Sequence, residues 1–320
     1  MRPSHNDRHT LLIIVGPTAV GKTALSLHLA ERFDGEVVSA DSRLFYRGMD
    51  IGTAKPTVEE QARVPHHLID IANPDETVGL AEFQALAYAA IAAIHTRDKL
   101  PILVGGTGQY VRAVVEGWRI PRVPPHSELR AELEAEAERD GPAALHARLA
   151  TLDPDAAEGI HPHNVRRVVR ALEVCLATGQ PISELQRKQP PPYRILQIGL
   201  TMARDALYAR ADRRAEAMMA AGLEAEVRRL VEAGYGWELP AMSGLGYAQF
   251  RPYLEGQAAL DDVVVEIKRA THAFIRRQYT WFRLDDPAIH WFDLSTTARA
   301  ALPEEAETLV QGWLNGPTSE

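Results

Sequence analysis

Gly16-Pro-Thr-Ala-Val-Gly-Lys22-Thr23 satisfies every fixed position of the phosphate-binding pattern G-x-x-x-x-G-K-[ST]. It follows an apolar run, Leu11-Leu-Ile-Ile-Val15, and leads into a helical pattern from Ala24 to Arg32. That strand–loop–helix setting is what gives the motif its meaning. Successive backbone N–H groups in a Gly-rich turn, with the N-terminus of the helix behind them, form an anion cradle. Gly16, Pro17, Thr18, Ala19, Val20, Gly21, Lys22 and Thr23 are therefore the candidate binding set for a polyphosphate or pyrophosphate. Lys22 adds a mobile point charge, and the Thr23 hydroxyl is placed to meet Mg²⁺.

Outward from this loop the first third alternates strand and helix. Glu36-Val-Val-Ser-Ala40 reads as a short strand ending at Asp41. Leu80 to Thr96 is apolar at helical spacing, and Leu100-Pro-Ile-Leu-Val104 reads as a buried strand followed by Gly105-Gly-Thr-Gly108. This is the α/β rhythm of a parallel sheet covered on both faces. Ligands of such sheets gather at the carboxyl ends of the strands. The polar ends at Gly16–Thr23, Asp41-Ser42 and Gly105–Gly108 are thus expected to converge. From Trp118 the texture changes to Ala-, Glu- and Arg-rich helical segments between two proline clusters. These segments run over Ser127–Arg139, Pro142–Leu149 and Pro162–Ala177. Residues 118–192 are expected to be an all-helical insertion, with residues 10–117 and 193–320 forming the core. Arg194 to Leu200 reads as a strand returning to the sheet, and the stretch after Pro303 as a peripheral helix.

The chain of 320 residues has 35 Lys and Arg against 43 Asp and Glu, a formal net charge of −8 that argues against indiscriminate nucleic-acid coating. The basic residues are nonetheless clustered, at Arg166, Arg167 and Arg170, at Arg204, Arg210, Arg213 and Arg214, and from Lys268 to Arg283. Such patches on an acidic body suit selective contact with a polyanion, or are solvated helix faces. The lone Cys175 excludes an internal disulfide and a cysteine-rich zinc site and reads as core filler. The polar start, Met1 to Thr10, has no secretory pattern, and no apolar run is long enough to span a bilayer. A cytoplasmic protein without a membrane partner is expected.

Asp41, at a strand end beside the phosphate loop, is a candidate base or metal ligand, or else caps the following turn. A nucleotide hydrolase usually adds a second acid for the metal at another strand end. Here the strand ending at Val104 leads into glycines, and Asp70 is the only other candidate. Gly106-Thr107 suits close contact with a substrate. Arg210 and Arg214, four apart, share a helix face. They either clamp a pyrophosphate or pair with Glu216 or Glu224. His66, His67, His161 and His163 lack metal-binding company and are expected to be structural, and Trp281-Phe282 to be core.

Together these segments resemble the tRNA dimethylallyltransferase (isopentenyltransferase) family over about Leu11 to Arg283. The elements are GPTAVGKTALS (16–26), DSRLFYRGMDIGTAKP (41–56), VPHHLIDIANPDE (64–76), VGGTGQY (104–110), RRVVRALEV (166–174), ARADRRAEAMMAAGLEAEV (209–227), GLGYAQF (244–250) and RRQYTWFR (276–283). The resemblance implies a P-loop NTPase-like core with an inserted helical domain, and use of Mg²⁺. It also implies transfer of the dimethylallyl group of dimethylallyl diphosphate to N6 of the adenosine 3′ of the anticodon. It assigns the base role to Asp41, leaving-group stabilisation to Arg210 and Arg214 alongside the phosphate loop, and nucleotide contact to Thr107. For the tRNA anticodon stem-loop it implies contacts from Asp41, Ser42, Arg43 and Leu44, from Arg130, and from Val165, Arg166, Arg167, Val168, Val169 and Arg170. A monomer is expected. Gln109, His272 and Phe274 stand where the family commonly has an apolar residue, Arg and Tyr. Two other readings share the loop: an enzyme prenylating free adenine nucleotides, and a P-loop kinase or NTPase.

Overall fold

A computed structural model describes residues 9–121, 123–296 and 301–316. The polar start through Arg8 lies outside the described residues. The chain divides into two compact units, Met1–Val111 with Pro192–Glu320, and Arg112–Pro191.

The first unit is built on six parallel strands: β1 Thr10–Val15, β2 Gly35–Ser39, β3 His66–His67, β4 Leu100–Val104, β5 Arg194–Thr201 and β6 Ile289–Asp293, in the order β3-β2-β4-β1-β5-β6. β1 lies inside the sheet because every one of its residues is buried. Its register is Leu12 against Ile102 on one side and Leu196 on the other, with Ile14 against Val104 and Ile198. A continuous apolar run, rather than an alternating one, is what a strand covered on both faces requires.

The covering elements include the Lys22–Phe33 and Leu80–His95 helices, whose Leu25, Leu29, Phe83 and Ile91 are buried. The C-terminal helix Leu302–Asn315 is not peripheral as its sequence suggests. Leu302, Ala306 and Val310 fall four apart, are buried, and join the core that holds Leu25 and Leu29. Glu307 on the same helix accepts from His28 (2.6 Å) and Arg32 (2.9 Å). The Arg204–Ala220 and Leu260–Trp281 helices pack together.

The second unit is helical, with Ser127–Asp140, Pro142–Leu152, Pro154–Gly159, Val165–Thr178 and Ile182–Leu185. Pro142 and Pro154 open their helices where a missing N–H costs nothing. Asp153 accepts from the N–H groups of Ala156 and Ser183 and from the Ser183 hydroxyl, which ties the short helices together. Leu133, Leu145, Leu149, Val168, Leu172 and Cys175 form its apolar centre, so the cysteine is core filler.

Candidate active site

β2, β4 and β1 are neighbours and parallel, so the loops leaving their carboxyl ends share one edge of the sheet. Those loops are the phosphate loop, the segment starting at Asp41, and Gly105–Thr107. They approach so closely that side chains are excluded. A Cβ on Gly105 would sit 2.3 Å from the Ala40 carbonyl oxygen, and one on Gly16, at φ 138°, would sit 2.4 Å from that of Leu200.

The phosphate loop turns into its helix at Gly21 (φ 117°), which carries no side chain to cap the first turn, and no acid stands in that turn. The helix N-terminal N–H groups therefore keep their capacity for an anion. Lys22 curls back over the loop, its ammonium donating to the carbonyls of Gly16 (3.0 Å) and Pro17 (2.9 Å). Burial pulls its pKa down to about 8, with Arg214 pushing the same way and Asp41 opposing. Thr23, in the first turn, is exposed.

Asp41 is half-buried, and its Oδ1 accepts the Arg43 N–H at 3.0 Å, closing a local turn. Its field reaches Lys22 and Arg214. Among the described residues it makes no ion pair at contact distance. Arg210 and Arg214 follow their helix toward the loop. Arg210 donates to the Val20 carbonyl (3.3 Å), and a Cβ on Gly21 would lie 3.8 Å from its guanidinium. Burial lowers the pKa of Arg214, Asp41 opposes, and Arg210 adds to the lowering. The acids proposed as alternative partners are engaged elsewhere: Glu216 binds Lys268 (2.5 Å), and Glu224 binds Arg228 (2.8 Å) and the Tyr253 hydroxyl (2.9 Å).

Of these groups, Asp41 and Arg214 line a cleft of about 360 Å³, together with Thr18 and Ala19 of the loop. Thr18, Asp41, Ser42, Arg43, Thr107 and Arg214 give it polar walls, and Met218, Leu245, Ile267 and Phe274 an apolar one. The apolar wall was not read from sequence. Its signal was the spacing of Ile267, Thr271, Phe274 and Gln278 along one face of the Leu260–Trp281 helix. Also missed was Gln278, which bonds both Thr18 and Gly106. A second cleft of about 700 Å³, beside Thr201, Leu207, Tyr208, Arg276 and Tyr279, contains none of the phosphate-loop residues.

Other candidates resolve as structure. Asp70 is held by the buried Lys55 (2.5 Å), which also binds Asp50 (2.6 Å). His66 bonds the Val64 carbonyl, His67 bonds Glu36, and His161 and His163 stack on each other. Phe282 is core, and the Trp281 side chain fills the space a side chain on Gly108 would need. Gln109 is exposed, His272 bonds Asp212 (2.8 Å) and stacks on Tyr208, and Phe274 lines the cleft. Leu44 fixes Asp70 through its carbonyl (3.1 Å), and the Arg43 guanidinium is anchored on the Pro240 and Ala241 carbonyls.

In the helical unit, Arg166 and Arg167 are exposed and Val165 is half-buried. The Val168 and Val169 side chains are buried and belong to the apolar centre of this unit. Arg130 and Arg170 grip the fully buried Glu173, which also accepts the His126 N–H (2.7 Å). Despite its burial, the hydrogen bonds from Arg130, His126 and Arg170 pull the Glu173 pKa down to about 2.

Residues 44–285 match the family model described as IPP transferase. The tRNA dimethylallyltransferase of Roseiflexus sp. (strain RS-1) is 58% identical over 95% of this chain and 99% of its own. That of Roseiflexus castenholzii is 63% identical over 85% of this chain and 89% of its own. Among solved structures, the full-length tRNA isopentenylpyrophosphate transferase of Bacillus halodurans aligns with a TM-score of 0.72 at 43% identity, over 96% of this chain and 97% of its own. A eukaryotic dimethylallyltransferase captured acting on tRNA aligns at 0.83 and 26% identity, over 98% of this chain and 81% of its own.

Proposed function

Because the chain belongs to the IPP transferase family, we propose that it moves the dimethylallyl group of dimethylallyl diphosphate to N6 of the adenosine 3′ of the anticodon in tRNA. The observation that carries this reading is the double character of one cleft. Its phosphate loop, Asp41 and Arg214 suit a diphosphate and an incoming amine, while Met218, Leu245, Ile267 and Phe274 suit a hydrocarbon.

The adenine amine is a weak nucleophile because its lone pair is delocalised into the ring. As N6 attacks the allylic carbon, a new C–N bond forms and the C–O bond to diphosphate breaks, with the bonding electrons leaving on oxygen. Asp41 takes the N6 proton, a general-base contribution of roughly 10²–10⁴-fold. Negative charge grows on the departing diphosphate, so fixed positive charge there favours the transition state over the ground state. Lys22, the N–H groups of Gly21 to Thr23, Arg210 and Arg214 supply it. Pro17, Ala19 and Val20 shape the loop.

Among the described residues no cluster of three metal-ligating side chains occurs, and the donors on offer are the Thr23 hydroxyl and the Asp41 carboxylate. Such a sparse set fits Mg²⁺, which keeps several waters and takes its remaining ligands from substrate phosphates. Thr23 would hold it, and when bound it neutralises diphosphate charge.

The target adenine must be turned out of its stack at a cost of a few kcal/mol. Contacts assigned to Asp41–Leu44, Thr107, Arg130 and the exposed Arg166 and Arg167 offset that cost. Within the helical unit, Arg170, beside Glu173, and Val165 join Arg130, Arg166 and Arg167 in that set. Among the described residues no helix is long and apolar enough to cross a membrane. We read the enzyme as a monomer working on tRNA in the cytoplasm.

The test offers unmodified tRNA and AMP in parallel, with dimethylallyl diphosphate and Mg²⁺, and analyses the nucleosides by mass. N6-isopentenyladenosine in the tRNA supports the reading. Prenylation of AMP alone overturns it, as does ATP turnover with no need for the prenyl donor.

A further inference from the structure

We propose that Gln278 is a positioning residue for this transfer: its carboxamide fastens the phosphate loop to the loop after β4 and so sets the donor cradle against Thr107. Gln278 is 3% exposed and sits on the Leu260–Trp281 helix. The Thr18 N–H donates to its Oε1 at 2.8 Å, and its Nε2 donates to the Gly106 carbonyl at 3.0 Å. A backbone N–H can only donate and a carbonyl can only accept, so these partners fix which way the amide faces.

The chemistry of the bridge is specific. Glutamate has the same shape, but its carboxylate would set a second acceptor against the Gly106 oxygen. Methionine fills the volume and leaves the part-buried Thr18 N–H and the buried Gly106 carbonyl without this partner. The bridge also needs Gly106, since a Cβ there would lie 2.2 Å from Nε2. The Thr18 N–H is consumed by Gln278, so the anion cradle rests on the later N–H groups of the loop. Thr18 itself and Thr107, the residue after Gly106, both line the cleft. So do Phe274 and Arg277 of the same helix. One helix thereby places Ile267 and Phe274 of the apolar wall and both loops together.

The inference rests on the proposed reaction, and its test separates the two. In Gln278→Met, single-turnover transfer to an anticodon stem-loop should fall ~10²-fold with tRNA KM changed no more than about twofold, because an error near 1 Å in reacting geometry slows chemistry more than binding. Gln278→Glu should lose as much. Gly106→Ala should behave alike, and combined with Gln278→Met it should cost no more than the worse single change, as expected for two residues of one interaction. A folded Gln278→Met protein with wild-type kcat overturns the proposal, because a residue that merely stabilises would lower Tm and leave turnover intact. Additive losses in the double variant also overturn it. Should the variants not fold, hydrogen exchange of the wild-type protein decides: a protected Thr18 amide supports the bridge, and rapid exchange overturns it. If the wild-type enzyme prenylates a different acceptor, the reading of the reaction fails while the Thr18 measurement and the variant-to-wild-type ratio still judge Gln278.

Discussion

Glu173 and Asp41 both sit among cationic side chains, and they are used in opposite ways. Glu173, buried in the helical unit, is gripped by Arg130 and Arg170 at contact distance and accepts the His126 N–H as well. Asp41, at the strand ends of the sheet unit, is felt by Lys22 and Arg214 but closes on neither. In the first group the charges satisfy one another, which stabilises the fold and holds the two partly exposed guanidinium groups in place. In the second, Asp41 and Arg214 line a cleft without pairing at contact distance. A charged cluster is informative about function only once its internal pairings are known.

The sharpest way to break this contrast is at Asp41. Asp41→Ala is expected to lower kcat by roughly 10²–10⁴-fold while diphosphate affinity stays near wild type. Near-normal turnover would remove it from the base role. Glu173→Ala should do the reverse. It should destabilise the helical unit by about 3 kcal/mol, since two arginines lose their buried partner, and this is measurable as a lowered denaturant midpoint. Because the folded pKa of Glu173 is held down to about 2, its stabilisation is complete above the ordinary carboxylate pKa of 4.5 and fades as pH falls from there towards 2. A helical unit equally stable at both ends of that window would contradict the pairing.

Lys22 sharpens the comparison by pH. Its pKa in the free enzyme is pulled down to about 8, so its charge is lost as pH rises through that value. kcat/KM for the prenyl donor should fall by up to ~10-fold per pH unit above that point. The kcat profile should stay flat for longer, because bound diphosphate favours the charged lysine. The sign for stability is opposite: a lysine whose folded pKa lies below its unfolded value of 10.5 lets stability rise between pH 8 and that value. The smallest effect is expected from the two exposed arginines. Replacing Arg166 and Arg167 should raise tRNA KM several-fold and flatten its log–log salt slope by about 1.4, two contacts at ~0.7 each. An unchanged slope would take these residues off the RNA-facing surface.

Much of this site was legible in the chain. The phosphate loop announces itself because its requirements are local: glycines where side chains cannot fit, a lysine, a hydroxyl, a strand before and a helix after. The same holds for β1 and β4, whose unbroken apolar runs read as strands buried on both faces. Convergence of three loops followed from parallel connectivity alone. The C-terminal helix was misjudged because its apolar face, Leu302, Ala306 and Val310 with Leu309, Trp313 and Leu314 beside them, does not by its spacing say what it packs on. Val168 and Val169 entered an RNA-facing set with their arginine neighbours, yet a helix turns successive residues about 100° apart, and these two face inward.

Short-range patterns in the chain were enough to read the phosphate cradle, the α/β order of the core, the helical character of the middle segment and the family. Packing in three dimensions was needed to show which cations are spent on internal acids, which apolar side chains wall the cleft, and that Gln278 ties together loops 260 and 172 residues away in the chain. Hydrogen bonding and burial act through space, and no spacing rule along one strand of sequence encodes which distant backbone group will meet a given side chain.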